Sequence, residues 1–293
     1  TGHWPDERWI CEPNRLHLQG RRQGDLIMLS EQITDEQWQH FEEHGYVHLG
    51  RADVEEIGGL QQRIDDIMMG TADIDYEWIM MQLDRSDGLD SKPGPQSRGH
   101  KEASLAYRKI QDLELDPLFL AYLQKSLYRD ICARAYGAQA DIACFRAMFM
   151  NKPSGLGSPL IWHQDRWTNL DRDPQITVWT ALDPATQDNG CVQIVPGSHK
   201  ELLNPEHGSG FLTDEMAAEI VARSDTEYLE MAAGEVVLLH NWMLHSSDVN
   251  RTQQSRRAFS VCYMDAATVA DNDTTYPVVF GEGALTPARA CRN

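Results

Sequence analysis

His163 and Asp165 stand two positions apart in Trp162-His-Gln-Asp165. An extended strand sends positions i and i+2 to the same side, so an imidazole and a carboxylate at this spacing can grip one ion. Further along, Gly234-Glu-Val-Val-Leu-Leu-His-Asn-Trp-Met-Leu-His-Ser-Ser247 offers two more histidines, His240 and His245. On a strand, Met243, His245 and Ser247 share a face. That would set a hydroxyl beside a ligand, so His245 is the stronger candidate for the third donor. Two imidazoles and one carboxylate make the facial triad that binds iron(II) and leaves the remaining positions open to non-protein ligands and oxygen. The next strand, Arg256 to Met264, has two unlike faces. Arg256, Ala258, Ser260 and Cys262 form a face of mostly small side chains with room for a bound molecule. Arg257, Phe259, Val261 and Tyr263 form a bulky face suited to packing against helices. Arg256 is therefore expected to point inward, where its planar fork can hold a carboxylate through two charge-assisted hydrogen bonds.

Taken together, the words Asn151-Lys-Pro-Ser-Gly, Trp162-His-Gln-Asp, Val178-Trp-Thr-Ala-Leu-Asp, Asn189-Gly-Cys-Val-Gln-Ile-Val-Pro-Gly-Ser-His and His245-Ser-Ser-Asp-Val-Asn with Arg256 resemble the phytanoyl-CoA dioxygenase family of iron(II) and 2-oxoglutarate-dependent oxygenases. The resemblance runs from about Asp141 to Asp265, with weaker similarity through the N-terminal half. It implies a mainly β fold with flanking helices: a double-stranded β-helix (jelly-roll, cupin-like) core buttressed by N-terminal helices. It also implies His163, Asp165 and His245 as iron ligands, and Arg256 with Ser247 as the binder of the distal carboxylate of 2-oxoglutarate. Thr177 and Trp179, on the strand after the His-x-Asp segment, are expected either to line the cosubstrate pocket or simply to pack. By the same resemblance, oxygen binds at the iron, 2-oxoglutarate is decarboxylated to succinate and CO2, and a small-molecule substrate is oxidised. Hydroxylation is the usual outcome, with ring closure or desaturation as alternatives. Related halogenases replace the carboxylate ligand with a small residue, and Asp165 is intact. A natural-product tailoring step, such as one in antibiotic biosynthesis, is the expected setting.

Two other functions compete: a cupin-type metal isomerase or hydrolase that does not use 2-oxoglutarate, and a noncatalytic sensor that keeps the fold. The first has no use for Arg256 and Ser247 behind the metal, and an intact triad argues against the second. His199 and His240 are read as structural hydrogen-bonders. His40, His44 and His48 are read as solvated or partner-bonded side chains rather than a metal cluster. Trp167, Asn169 and His100 are the candidate substrate contacts. The first two follow Asp165 directly, and His100 lies in the turn-rich segment from Asp84 to Ser104, which is too rich in Gly and Pro to be regular and has the character of a binding loop.

The elements that must carry these groups are legible in outline. Thr34-Asp-Glu-Gln37 is a capping box for a helix ending at Gly45, followed by a short strand Tyr46-Val-His-Leu49. Asp53 opens a second helix reaching about Met69, and Asp116-Pro117 opens a third that runs to Gly137. From Ile142 the pattern turns to short strands between Gly, Pro, Asn and Asp, interrupted by a capped helical insert from Thr213 to Ala222. The expected organisation is a single oxygenase domain over 1–293: helical support at about 30–140, β-helix core at about 141–265, and a C-terminal extension at 266–293.

The 293 residues carry a formal net charge of −19. Such a chain repels nucleic acid at long range, and the same field favours an amine-bearing small molecule over a phosphate-rich one. No apolar run approaches the ~20 residues that span a bilayer, so no membrane association is expected. The six cysteines are scattered without Cys-x-x-Cys pairs, which suits free thiols in the cytoplasm. The oligomeric state is not legible.

Overall fold

A computed structural model describes residues 27–84, 94–155 and 157–287. Helix α1 (Asp35–His44) begins with the capping box: Thr34 Oγ1 accepts the Gln37 N–H, and Gln37 Oε1 accepts the Thr34 N–H, both at 3.1 Å. It stops at Gly45, whose φ of 79° lies in the left-handed region and whose missing Cβ leaves room for the His199 ring. Strand β1 (Tyr46–Arg51) follows, then α2 (Val54–Met69), capped by Asp53 and burying Ile57, Leu60, Ile64 and Ile67 at helical spacing.

The third expected helix is two. Helix α3 (Pro117–Leu123) and α4 (Ser126–Tyr136) are separated at Gln124–Lys125, where the Gln124 amide donates to the carbonyls of Val279 and Leu285. Lys125 there is extended, with ψ 147°, so tertiary hydrogen bonds override local helical preference. The N-terminal half also contributes strands that the pattern does not announce. These are β2 (Met80–Leu83), β3 (Ser97–Arg98) and β4 (Tyr107–Gln111). They extend the main sheet, so the region up to about residue 140 is not purely helical support. Within the segment from Asp84 to Ser104, residues 85–93 lie outside the described residues; the remainder holds the short β3.

The remaining strands are β5 (Ile142–Lys152), β6 (Leu160–His163), β7 (Ile176–Ala181), β8 (Val192–Ile194), β9 (Glu227–Tyr228), β10 (Glu235–His240), β11 (His245–Ser247), β12 (Arg256–Asp265) and β13 (Val278–Phe280). Helix α5 (Asp214–Arg223) is the insert, capped by Thr213. They form two antiparallel sheets, one ordered β1-β10-β7-β12-β5-β4-β2-β3 with β13 added to β5, the other β6-β11-β8-β9. One face of the large sheet packs on α2, α3 and α4 through a core that includes Phe119, Tyr122, Phe149, Phe259 and Tyr263. Its other face meets the small sheet through Trp179, Ala181, Val192, Ile194, Val237 and Ala258. This is the jelly-roll arrangement. Among the described residues no helix is long and apolar enough to cross a membrane, and Cys132, Cys144, Cys191 and Cys262 are buried free thiols.

Candidate active site

The two sheets enclose a cavity of about 440 Å³ with His163, Asp165 and His245 in its wall. Antiparallel pairing of β6 with β11 sets His163 directly opposite His245, and their ring centroids are 4.1 Å apart. Strand β6 ends at His163, so Asp165 lies just beyond it, yet the chain stays extended. The Gln164 N–H donates to the Gly210 carbonyl at 3.1 Å and the Asp165 N–H to the Asn241 carbonyl at 2.8 Å. Gln164 points the opposite way and is fully buried. Its amide donates to the carbonyls of Ser198, Glu201 and Trp242, and its Oε1 accepts the Leu203 N–H at 2.7 Å. With the middle side chain tied down on one side, its neighbours must both face the other. One donor atom from each of His163, Asp165 and His245 lies within 4.8 Å of the others, the one such grouping of three or more His, Cys, Asp or Glu among the described residues.

The imidazoles are prepared for a cation. His163 Nδ1 lies 2.9 Å from the Ile161 carbonyl and His245 Nδ1 lies 2.8 Å from the Met243 carbonyl. A carbonyl only accepts, so Nδ1 carries the proton in both rings and the Nε2 lone pairs are left for a metal. Burial, and secondarily His245, push the His163 pKa down to about 4, which keeps the ring neutral at ordinary pH. Phe211 stacks on His163 at 4.7 Å and fixes the ring plane.

Arg256 lines the same cavity and is 3% exposed, while Arg257 on the opposite face is held by Asp183 and Asp65. The Arg256 Nε and Nη1 find no hydrogen-bond partner in the protein, although the guanidinium lies over Trp179 at 5.8 Å. Burial lowers its pKa to about 10, so it remains charged at neutral pH. A buried cation with unused donors calls for an anion. Across the strand pair, Lys152 faces Arg256 and donates to the Ser158 carbonyl at 2.9 Å. Burial first, and Arg256 second, push its pKa down to about 7. Ser247, Thr177 and Trp179 all line the cavity. The Thr177 hydroxyl donates to Asn241 Oδ1 at 2.7 Å, and Asn241 in turn donates to Cys262 Sγ and to the Pro174 carbonyl.

The expected substrate contacts separate. Trp167 lines the cavity, but Asn169 and His100 do not. Asn169 bonds toward Tyr276, and the His100 ring packs beside Tyr76 and Tyr107 with Nε2 2.9 Å from the Met68 carbonyl. Both are taken up by loop packing, which position in the sequence does not show. His199 bonds the Glu42 carbonyl, and His240 accepts the Trp242 N–H at 3.0 Å while also bordering the cavity. Sequence reasoning missed Arg108, Lys109, Arg146, Met148, Met150 and Phe211 as lining residues. The alternation Arg146, Met148, Met150, Lys152 on β5 was a usable signal for four wall positions. Nothing local marks Phe211.

Three donors able to hold one metal, backed by a buried guanidinium with unused donors and set between the sheets of a jelly roll, are what the class of non-haem iron oxygenases that draw on an oxo-diacid requires. Residues 41–258 match the family model of phytanoyl-CoA dioxygenase, and the chain belongs to that family. It is a non-haem iron, 2-oxoglutarate-dependent dioxygenase, with iron(II) as cofactor and 2-oxoglutarate and O2 as cosubstrates. It is 25% identical over 252 residues to the phytanoyl-CoA dioxygenase of Arabidopsis thaliana, covering 78% of this chain and 88% of the plant protein. It is 28% identical over 261 residues to phytanoyl-CoA dioxygenase 1 of Oryza sativa subsp. japonica, covering 80% and 89%. Among solved structures, the fold resembles EctD from S. alaskensis bound to 2-oxoglutarate and 5-hydroxyectoine, with a TM-score of 0.63, 18% identity, and coverage of 89% and 84%. It also resembles the α-ketoglutarate-dependent carbocyclase SnoK from nogalamycin biosynthesis, with a TM-score of 0.61, 18% identity, and coverage of 86% and 95%.

Proposed function

We propose that His163, Asp165 and His245 hold the iron, and that Arg256, helped by Ser247, binds the distal carboxylate of 2-oxoglutarate against Thr177 and Trp179. The chain then works as one oxygenase domain that oxidises a small molecule, most simply by hydroxylation, with ring closure or desaturation as variants on the same site. The single observation that carries this reading is the buried Arg256 fork, whose Nε and Nη1 donors are unpaired in the same cavity as the triad. A metal isomerase or hydrolase has no use for such a group. When bound, iron with 2-oxoglutarate supplies the oxidising power. The protein's own residues do the rest. The Nδ1 bonds hold both imidazoles at a fixed tautomer and tilt, Asp165 offsets charge, Arg256 orients the diacid, and the two sheets keep bulk water from the reacting face.

A tailoring step in natural-product assembly takes its support from the fold shared with SnoK, itself described as acting in nogalamycin biosynthesis. The buried free thiols support a reducing cytoplasm. The amine-bearing substrate that the net charge favours meets one carboxylate in the cavity, Asp165, and that group is committed to the metal.

Anaerobic addition of iron(II) and 2-oxoglutarate should give the weak visible charge-transfer band of the chelate, and its absence would overturn the reading. His245→Ala should abolish iron retention measured after desalting. Arg256→Ala should leave iron bound and weaken 2-oxoglutarate by about tenfold or more, the scale of a lost charge-assisted pair.

A further inference from the structure

The charge of the cavity is opposite to that of the molecule. Arg108, Lys109, Arg146, Lys152, Arg166 and Arg256 line it against the lone carboxylate of Asp165, in a chain of net charge −19. Most of these cations have protein partners or a role already given. Lys152 is tied to Ser158, Arg166 donates to the Pro205 carbonyl, Arg108 lies in the field of Asp84, and Arg256 belongs to 2-oxoglutarate.

Arg146, unlike Arg108 and Lys109, rests on aromatic rings. Strand β5 pairs Arg146 with Cys262 but Cys144 with Tyr263, so Phe145 is an extra residue and the ladder bulges there. Before the bulge, Ala143 and Phe145 join the cluster beside Trp167 and Cys262; after it, Arg146, Met148, Met150 and Lys152 face the cavity. The bulge thus sets two sequence neighbours, Phe145 and Arg146, toward the same side. The Arg146 guanidinium lies over the Phe145 ring at 4.9 Å and the Trp167 ring at 5.3 Å, which hold it in place without neutralising it. Among the described residues it has no carboxylate within ion-pair distance. Asp112, whose pKa burial raises, pairs with Arg98 at 3.5 Å. Arg146 and Lys152 lie six residues apart on β5, or about 20 Å at the usual rise per residue, so the floor of the cavity carries a cation at each end and two methionines between them.

Resting on the proposed oxygenase site, we infer that the substrate carries an acid group, a carboxylate or phosphate monoester, which Arg146 receives on its aromatic platform while the rest of the molecule lies over Met148 toward the triad. The 2-oxoglutarate occupies the Arg256 end, so the two anions do not compete for one guanidinium.

The test is calorimetric titration of the anaerobic protein, loaded with iron(II) and saturating 2-oxoglutarate, with hexanoate, phenylacetate and cyclohexylacetate. Each is compared with its amide, the matching amine and the matching alkyl phosphate. At least one acid or phosphate should bind ~10-fold or more tighter than its amide and amine, the range expected for a charge-assisted pair. The carboxylate and phosphate arms decide which acid is preferred. Arg146→Gln should bring acid and amide to within about threefold of one another, Arg146→Lys should restore most of the preference, and both should keep the chelate band. Equal binding of acid and amide, preference for the amine, no binding by any acid, or an Arg146→Gln protein that still selects acids would overturn the inference. A missing chelate band with acid selectivity intact would sink the oxygenase assignment and leave the anion site standing.

Discussion

At the scale of single residues, the triad depends on a side chain that never meets the metal. Gln164 is buried between His163 and Asp165 and satisfies three carbonyls and one backbone N–H from two separate segments, 198–203 and the turn at Trp242. Replacing it with Leu keeps the volume but leaves those groups without a partner, at about 1–3 kcal/mol for each that water cannot reach. Gln164→Leu is expected to lower stability by about 3 kcal/mol or more and to weaken iron binding, read by denaturant melts and by metal retention after desalting. A retained melting midpoint and full iron occupancy would show that strand pairing alone holds the ligands. The contrast of Arg256 with Arg257 was legible from alternation, because one face of that strand is small and the other bulky. The position of Asn169 and His100 outside the cavity lining was not, because each is claimed by partners distant in sequence.

At the scale of elements, the site is a junction of strand ends. Strand β6 stops at His163, and the chain beyond it is kept extended by Gly210 and Asn241. Gly210 has φ 68°, and a Cβ there would lie 1.9 Å from the Gln164 carbonyl oxygen, a backbone atom that cannot swing aside. Gly210→Ala should therefore displace the segment between His163 and Asp165. The expected result is loss of iron binding with a secondary-structure spectrum close to wild type, since the contact lies outside the large sheet. Wild-type iron affinity would count against it. The caps of α1, α2 and α5 were readable because each is set by a few adjacent residues. The break between α3 and α4 was not, because the Gln124 bonds that cause it reach Val279 and Leu285. Strands β2 and β4 were equally hidden, since an isolated short strand has little signal until the sheet that accepts it exists.

At the scale of the whole molecule, buried titratable groups set opposing limits on stability. Burial lowers His163 and His240 from 6.5 to about 4. The unfolded chain therefore takes up protons that the fold refuses, and stability falls as pH drops from about 6.5 toward 4. Burial raises Glu114 from 4.5 to about 8, so its neutral form is favoured in the fold and that contribution is lost as pH rises through 8. In thermal midpoints across pH, His240→Asn should flatten the acid limb, and Glu114→Gln should lessen the limb that falls between about pH 4.5 and 8, which buried Lys152 opposes above about 7. Unchanged limbs in both variants would refute these assignments. The same scale explains why net charge misleads about the pocket: acidic side chains crowd the solvent surface, while the cavity gathers cations from β4, β5 and β12 and the segment after β6.

The sequence alone picked out the three side chains that the fold brings together, the inward arginine and the helix caps, because those follow from local spacing and side-chain chemistry. Only the tertiary structure decided that His163 pairs across from His245, that a bulge turns Arg146 into the cavity, and that Arg256 stays unpaired. Register, curvature and the absence of a partner are properties of strands brought together from distant parts of the chain, and no window of residues contains them.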